Sequence, residues 1–258
     1  MRPRTFGPPR WLVLGLLLVA AATRTAAAAD ARGSVSIGLG FDYLSRTVTW
    51  DDKTRESKLA AGAFTIRGMF DLRPGLALEL AAGISRPNFN GLVFRNLPIS
   101  VDYEAGATNG LLLGAAVRVR LARIGAFEIG ADGRFVSSLG LSKTWALAGF
   151  AVEGTVKGSP TWFEAAGGPR ISYVGTGRLV PYLTVMADWL SGKFTLDQSL
   201  GDLTGHEAKK VTGKGFLAAS AGADWEFSDR LLLRGEAGVL PYSGGMDFRA
   251  SLGLFYRF

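Results

Sequence analysis

Apolar residues recur at every second position along much of this chain. From Ser34 the stretch SVSIGLGFDYL places Val35, Ile37, Leu39, Phe41 and Tyr43 on one face and Ser34, Ser36, Gly38, Gly40 and Asp42 on the other. In LALELAAGIS, Leu76, Leu78, Leu80, Ala82 and Ile84 oppose Ala77, Glu79, Ala81, Gly83 and Ser85. LLLGAAVRVRLA repeats the rule, with Leu111, Leu113, Ala115, Val117, Val119 and Leu121 set against Arg118 and Arg120. A period of two over such lengths describes strands with one apolar face, because a helix would repeat every 3.6 residues. The pattern predicts ten strands, at about 33–45, 58–72, 76–85, 109–122, 126–136, 162–173, 178–190, 214–227, 231–241 and 247–258. ALAGFAVEGTVKG (146–158) also alternates and is assigned to a long third loop, with eight strands as the alternative count.

Short and long connections alternate. Tight turns fall at Arg73-Pro74-Gly75, around Arg123-Ile124-Gly125, at Val174-Gly175-Thr176-Gly177 and around Asp229-Arg230. Long polar stretches lie between them, at roughly 46–57, 86–108, 137–160 and 191–213, with a shorter one near 242–247. Short periplasmic turns on one rim and long extracellular loops on the other are the asymmetry of a transmembrane barrel. The fold class predicted is therefore all-β, a transmembrane antiparallel up-and-down β-barrel. An even number of strands places both termini in the periplasm.

The last strand, SLGLFYRF, makes the same point. Leu252, Leu254, Tyr256 and Phe258 form an apolar face that continues to the final residue, where a soluble domain usually carries a polar, fraying tail. That face is expected to meet lipid, leaving Arg249, Ser251, Gly253 and Arg257 to the interior. Tyr173, Trp225, Phe227, Tyr256 and Phe258 would form one aromatic girdle, and Tyr43, Phe135 and Trp189 the other.

The first 29 residues read differently. Arg2, Arg4 and Arg10 precede the apolar run Trp11 to Ala22, and Ala27-Ala28-Ala29 supplies an A-x-A site, the layout of a cleaved secretory signal peptide. The apolar run is shorter than the roughly 20 residues a membrane-spanning helix needs. The expected domains are thus 1–29 as signal peptide and 30–258 as barrel. The formal charge of +7 includes four arginines of this leader, so the basic balance is largely a targeting feature and nucleic acid is not an expected partner. With no cysteine, the exported chain has no disulfide framework or thiolate metal site.

Projected inward, the strands carry the acids Asp42, Asp71, Glu79, Glu128, Asp132, Glu164, Asp188, Asp224, Glu226 and Glu236. The inward bases are Arg67, Arg118, Arg120, Arg134, Arg170, Arg234, Arg249 and Arg257, nearly balancing them. All are arginines, whose planar fork pairs bidentately with carboxylates, whereas Lys53, Lys143, Lys193, Lys209 and Lys210 fall in loops or at strand ends. Centring the second turn on Ile124 sets Arg120 opposite Glu128, and centring the fourth on Arg230 sets Glu226 opposite Arg234. These residues form either a polar core that plugs the lumen or the lining of an ion-selective pore. A barrel of about ten strands is nearer the filled eight-stranded case than the open porins, which favours the plug.

Catalytic chemistry has little support. The single histidine, His206, sits in GDLTGHEAKK of the fourth polar stretch, with neither an Asp-x-His nor a His-x-Ser neighbourhood, and is expected to be a solvated loop residue. No zinc-type cluster, phosphate loop or EF-hand pattern occurs, so neither cofactor nor metal is expected. The apolar patch NFNGLVF, with Phe89, Leu92, Val93 and Phe94, is expected to pack against the barrel mouth or to bind an envelope or host partner.

Three stretches resemble the bacterial outer-membrane β-barrel domain family, the small barrels related to the OmpA transmembrane domain and the opacity proteins. AAGGPRISYVGTGRLVPYLTVMADW (165–189) is similar to that family's Gly-Pro-Arg strand, short turn and Pro-aromatic strand. FRASLGLFYRF (248–258) resembles its closing strand, and the leader followed by GLGFDYL its opening. The resemblance implies an integral outer-membrane protein of a Gram-negative organism, with no catalytic residue. The alternating end with Leu252, Leu254, Tyr256 and Phe258 resembles the signal read by the barrel-assembly machinery. The expected partners are that machinery, outer-membrane lipid and lipopolysaccharide, and the expected state is a monomer. The expected role is structural or surface interaction with at most a narrow pore. A small diffusion channel and a barrel enzyme acting on lipid A or peptides are the alternatives.

Overall fold

The computed structural model describes residues 34–51, 56–90, 92–95, 97, 101–103, 107–147 and 154–258, so the leader lies outside the described residues. Among the described residues fourteen strands follow one another: β1 (Val35–Trp50), β2 (Glu56–Arg73), β3 (Leu76–Asn90), β4 (Leu92–Phe94), β5 (Val101–Tyr103), β6 (Gly110–Ile124), β7 (Phe127–Gly140), β8 (Lys143–Leu147), β9 (Gly154–Tyr173), β10 (Leu179–Leu200), β11 (Leu203–Gly213), β12 (Leu217–Ser228), β13 (Leu231–Tyr242) and β14 (Gly245–Arg257). Ten of them, β1, β2, β3, β6, β7, β9, β10, β12, β13 and β14, pair antiparallel in that order. The ring closes where β14 meets β1, from Ser36 opposite Arg257 to Ser45 opposite Phe248. Closure satisfies every strand's backbone inside the ring, a necessity where no water reaches the outer wall.

Outward faces carry the apolar half of each alternation. Leu39 is 65% exposed, Phe64 64%, Leu183 64% and Leu254 49%, a belt that would be costly against water and is at home against lipid. The tight turns use glycine where the backbone turns left-handed, as at Gly75 (φ 83°) and Gly125 (φ 61°). Phe127 packs at a tilt against Tyr173 and Tyr256 edge-on against Phe258 near this rim, while Phe163 packs edge-on against Trp189 near the other.

Strands rise well past the second rim, which corrects, over the described residues, the long loops expected at 46–57, 86–108, 137–160 and 191–213; 52–55, 91, 96, 98–100, 104–106 and 148–153 lie outside them. β1 parts from β14 after Ser45 and pairs instead with β11, from Val48 opposite Gly213 to Trp50 opposite Val211. β10 parts from β12 after Ala187 and takes β11 from Ser191 onward. Above the second rim the wall is therefore a seven-stranded curved sheet in the order β8-β9-β10-β11-β1-β2-β3. This crown has its own apolar core of Val48, Trp50, Leu59, Phe89, Phe94, Val156, Trp162, Leu190, Phe194, Leu196 and Val211.

The physical reason is a change of phase. In β10 the apolar positions Leu183, Val185 and Trp189 point out, and from Leu190 the apolar positions Leu190, Phe194 and Leu196 point in. β1 changes in the same way between Tyr43 and Leu44. Below the change the outside is lipid; above it the outside is water, so the same alternation turns over. Asp247 closes the fork where β1 and β14 separate: fully buried, its carboxylate accepts from Thr47 N at 2.6 Å and Thr47 Oγ1 at 2.9 Å.

Candidate functional site

Inside the ten-stranded ring two ionic layers fill the lumen. The first draws a residue from every strand of the ring: Asp42, Arg67, Glu79, Arg118, Asp132, Arg170, Tyr182, Asp224, Arg234 and Ser251. Arg67 reaches Asp42 at 2.5 Å and Glu79 at 3.3 Å. Arg234 holds Glu79 and Asp224 at 2.7 Å each. Arg118 and Arg170 complete the circuit onto Asp224 and Asp132, and Arg170 lies 3.5 Å from the centre of the Tyr182 ring. Four guanidinium groups thus meet four carboxylates. Local sequence makes room for them: a Cβ at Gly40 would collide with the Arg67 guanidinium, and one at Gly222 would meet the Tyr182 ring.

The second layer lies toward the crown. Arg249 donates to Glu164 at 2.6 Å and Asp188 at 2.8 Å. Arg134 lies 3.2 Å from Glu164, 3.5 Å from Asp188 and 3.7 Å from Glu236, and the fully buried Arg46 lies 3.4 Å from Asp188. Three arginines face three acids, and Tyr182 Oη donates to Glu236 at 3.1 Å to tie the layers together. A cavity of about 200 Å³ remains beside them, touching Arg67 and Arg234 on one side and Trp162 and Leu44 of the crown on the other. At ~30 Å³ per molecule it has room for roughly six or seven waters.

Arg120 and Glu128 meet at 3.1 Å, and Arg257 and Glu226 at 3.1 Å, both pairs at the turn rim. Two registers differ from the sequence expectation. A bulge near Leu121 puts Arg120 opposite Gly130, so its contact with Glu128 is diagonal. A bulge near Phe227 and a turn centred on Asp229 put Arg234 opposite Asp224, leaving Glu226 for Arg257. Sequence reading missed Arg46, placed in a loop although it continues the inward face of β1, and Tyr182, an aromatic residue on an arginine-rich face.

His206 is not in a loop but in β11, opposite Asp197, and its Nδ1 lies 2.6 Å from the Asp197 carboxylate. Both side chains are exposed on the outer face of the crown, where Lys157 of β9 stands opposite Asp197. Among the described residues no cluster of three or more His, Asp or Glu could hold a metal. Phe89 and Phe94 of the NFNGLVF patch pack inward against Phe194 in the crown core, at 5.9 and 5.6 Å. Lys193, Lys209 and Lys210 lie on crown strands rather than in loops, and Lys53 falls outside the described residues.

A closed ten-stranded ring, a lipid-facing apolar belt and a charged interior define a transmembrane β-barrel of the bacterial outer-membrane type. Its backbone is similar to that of the outer-membrane protease OmpT from Escherichia coli, at 12% identity over 87% of this chain and 97% of that one, with a TM-score of 0.51. Weaker likenesses include the translocator domain of autotransporter NalP from Neisseria meningitidis, at 15% identity over 96% of each chain and a TM-score of 0.46. Another is a major outer membrane protein from Thermus thermophilus, at 14% identity over 88% of this chain and 100% of that one, with a TM-score of 0.40. No protein-family model and no curated protein matches the sequence. At these identities the likeness carries the fold and not the chemistry.

Proposed function

We propose that this integral outer-membrane barrel has a structural or surface-interaction role and does not conduct. The observation that carries the reading is the double seal: charge-balanced ionic layers across the whole ring, capped by an apolar core in the crown. An ion entering the lumen would have to break several desolvated pairs and then cross a dry layer, each step costing several kcal/mol. The turn rim and both chain ends then face the periplasm, the leader is removed on export, and the crown stands on the cell surface. The exposed His206–Asp197 pair is a surface ion pair in this reading, and the protein is not an enzyme.

Liposomes loaded with an ion-sensitive dye test it. The refolded barrel should leave dye and small sugars inside at the rate of protein-free liposomes. Efflux that scales with the amount of folded barrel would replace this reading with a small diffusion channel.

A further inference from the structure

The cavity beside the ionic layers has two unlike walls. On β2, β3 and β6 a patch of small residues borders it, Ala63, Ala81, Gly114 and Ala116, with Leu112 toward the crown. None of these side chains can make a hydrogen bond. Gly40 and Gly222 lack side chains in order to admit Arg67 and Tyr182, but Gly114 admits no such group. Outside its chain neighbours, the nearest atom to a Cβ at Gly114 would be the Ala81 Cβ at 3.4 Å, a van der Waals contact. The volume that a larger residue would fill on this wall is left to the cavity.

The facing wall carries donors without acceptors. Trp162 lines the crown end and is 3% exposed, and its Nε1 has no hydrogen-bond partner among the described residues. Arg134 and Arg249 also line the cavity. Their terminal nitrogens are engaged by Glu164, Asp188 and Glu236, while the Nε of each is buried and unpaired. Arg118 Nε and Asp132 Oδ1, which also border the cavity, differ in lying 3.5 Å from each other. A buried donor without an acceptor is costly, so these groups call for one. Water answers them poorly, because a buried water needs about two to four polar partners and the alanine wall supplies none. Five arginines and five acids border the cavity, so an added anion would lack a counter-charge.

We propose that this cavity binds a small uncharged molecule with an apolar body and one hydrogen-bond acceptor, of the size and polarity of an aryl ketone. The body lies against the wall of Ala63, Ala81, Gly114 and Ala116, and the acceptor takes the Trp162 Nε1 proton. An apolar cavity of about 150 Å³ holds benzene, so the 200 Å³ here suits a molecule of about eight or nine non-hydrogen atoms. Loss of the one hydrogen bond in so confined a site should weaken binding about tenfold. The site lies within the seal and does not depend on whether the lumen conducts.

Three probes of equal size test it: acetophenone, α-methylstyrene, which lacks the acceptor, and benzoate, which adds a charge. Each is present while the full mature chain refolds, so that entry is not limiting, and the barrel is then placed in lipid nanodiscs. NMR of the ¹⁵N-labelled chain follows the Trp162 indole N–H, assigned by its loss in W162F, and dialysis against protein-free nanodiscs reads the amount bound. Acetophenone should move the Trp162 resonance saturably. α-Methylstyrene should bind about tenfold more weakly, and W162F should bring acetophenone down to the same level. Benzoate should not exceed the protein-free background. A116L and G114V, which fill the cavity, should keep compact, heat-modifiable migration and lose acetophenone at least about tenfold, while A219L on the lipid-facing side of β12 should match the parent. An unmoved Trp162 resonance in the parent would mean that the cavity holds water only, and overturns the proposal. Equal acetophenone binding by the parent, W162F and the filled variants overturns it too, as does benzoate bound as tightly as acetophenone.

Discussion

At the scale of single residues the interior is an electrostatic circuit, and its members are worth more to their partners than to themselves. Arg234 bridges Glu79 and Asp224, so Arg234→Ala leaves two carboxylates short of a counter-charge in a confined space. The expected cost is about 3–5 kcal/mol, read as a lower urea midpoint for the loss of compact gel migration. Asp247 acts at the fork: Asp247→Ala removes both acceptors of Thr47 and is expected to cost about 1–3 kcal/mol, with faster amide exchange at Thr47. The inward identity of most of these residues could be read from alternation alone, because period two assigns a face once the strand is recognised. Their partners could not. A bulge near Phe227 and a turn centred on Asp229 together move Arg234 from Glu226 to Asp224, and no local feature of the sequence announces either.

At the scale of elements the informative signal is the phase of alternation. Ten ring strands follow from turns and apolar faces, but the extension of β1, β9 and β10 and the whole of β11 were obscured because polarity alone was read as loop. KFTLDQSL is as regular as the membrane part; its apolar residues Phe194 and Leu196 occupy the opposite face from Val185 and Trp189. A strand that crosses from lipid into water must make that exchange, and the position where it happens marks the membrane surface. The crown is therefore held by a different force from the ring, burial of apolar area rather than ionic pairing against lipid. Phe194, at the contact of Phe89 and Phe94, should be its most sensitive point. Phe194→Ala is expected to cost the crown about 3–5 kcal/mol, making residues beyond Leu190 open to added protease while the ring keeps its compact, heat-modifiable migration. Loss of both together would show that ring and crown fold as one unit.

At the scale of the whole molecule, a closed ring with a balanced interior and an apolar cap explains why composition carries so little functional signal. The charged residues of the lumen are spent on one another, and the apolar residues on lipid and crown. The central claim is the seal, and single-channel current from the refolded mature chain in a planar bilayer tests it most directly. The account predicts a silent membrane at both polarities with folded barrel present on the gel. Steady, reproducible steps, with an ion selectivity that changes when Arg118 is neutralised, would contradict it.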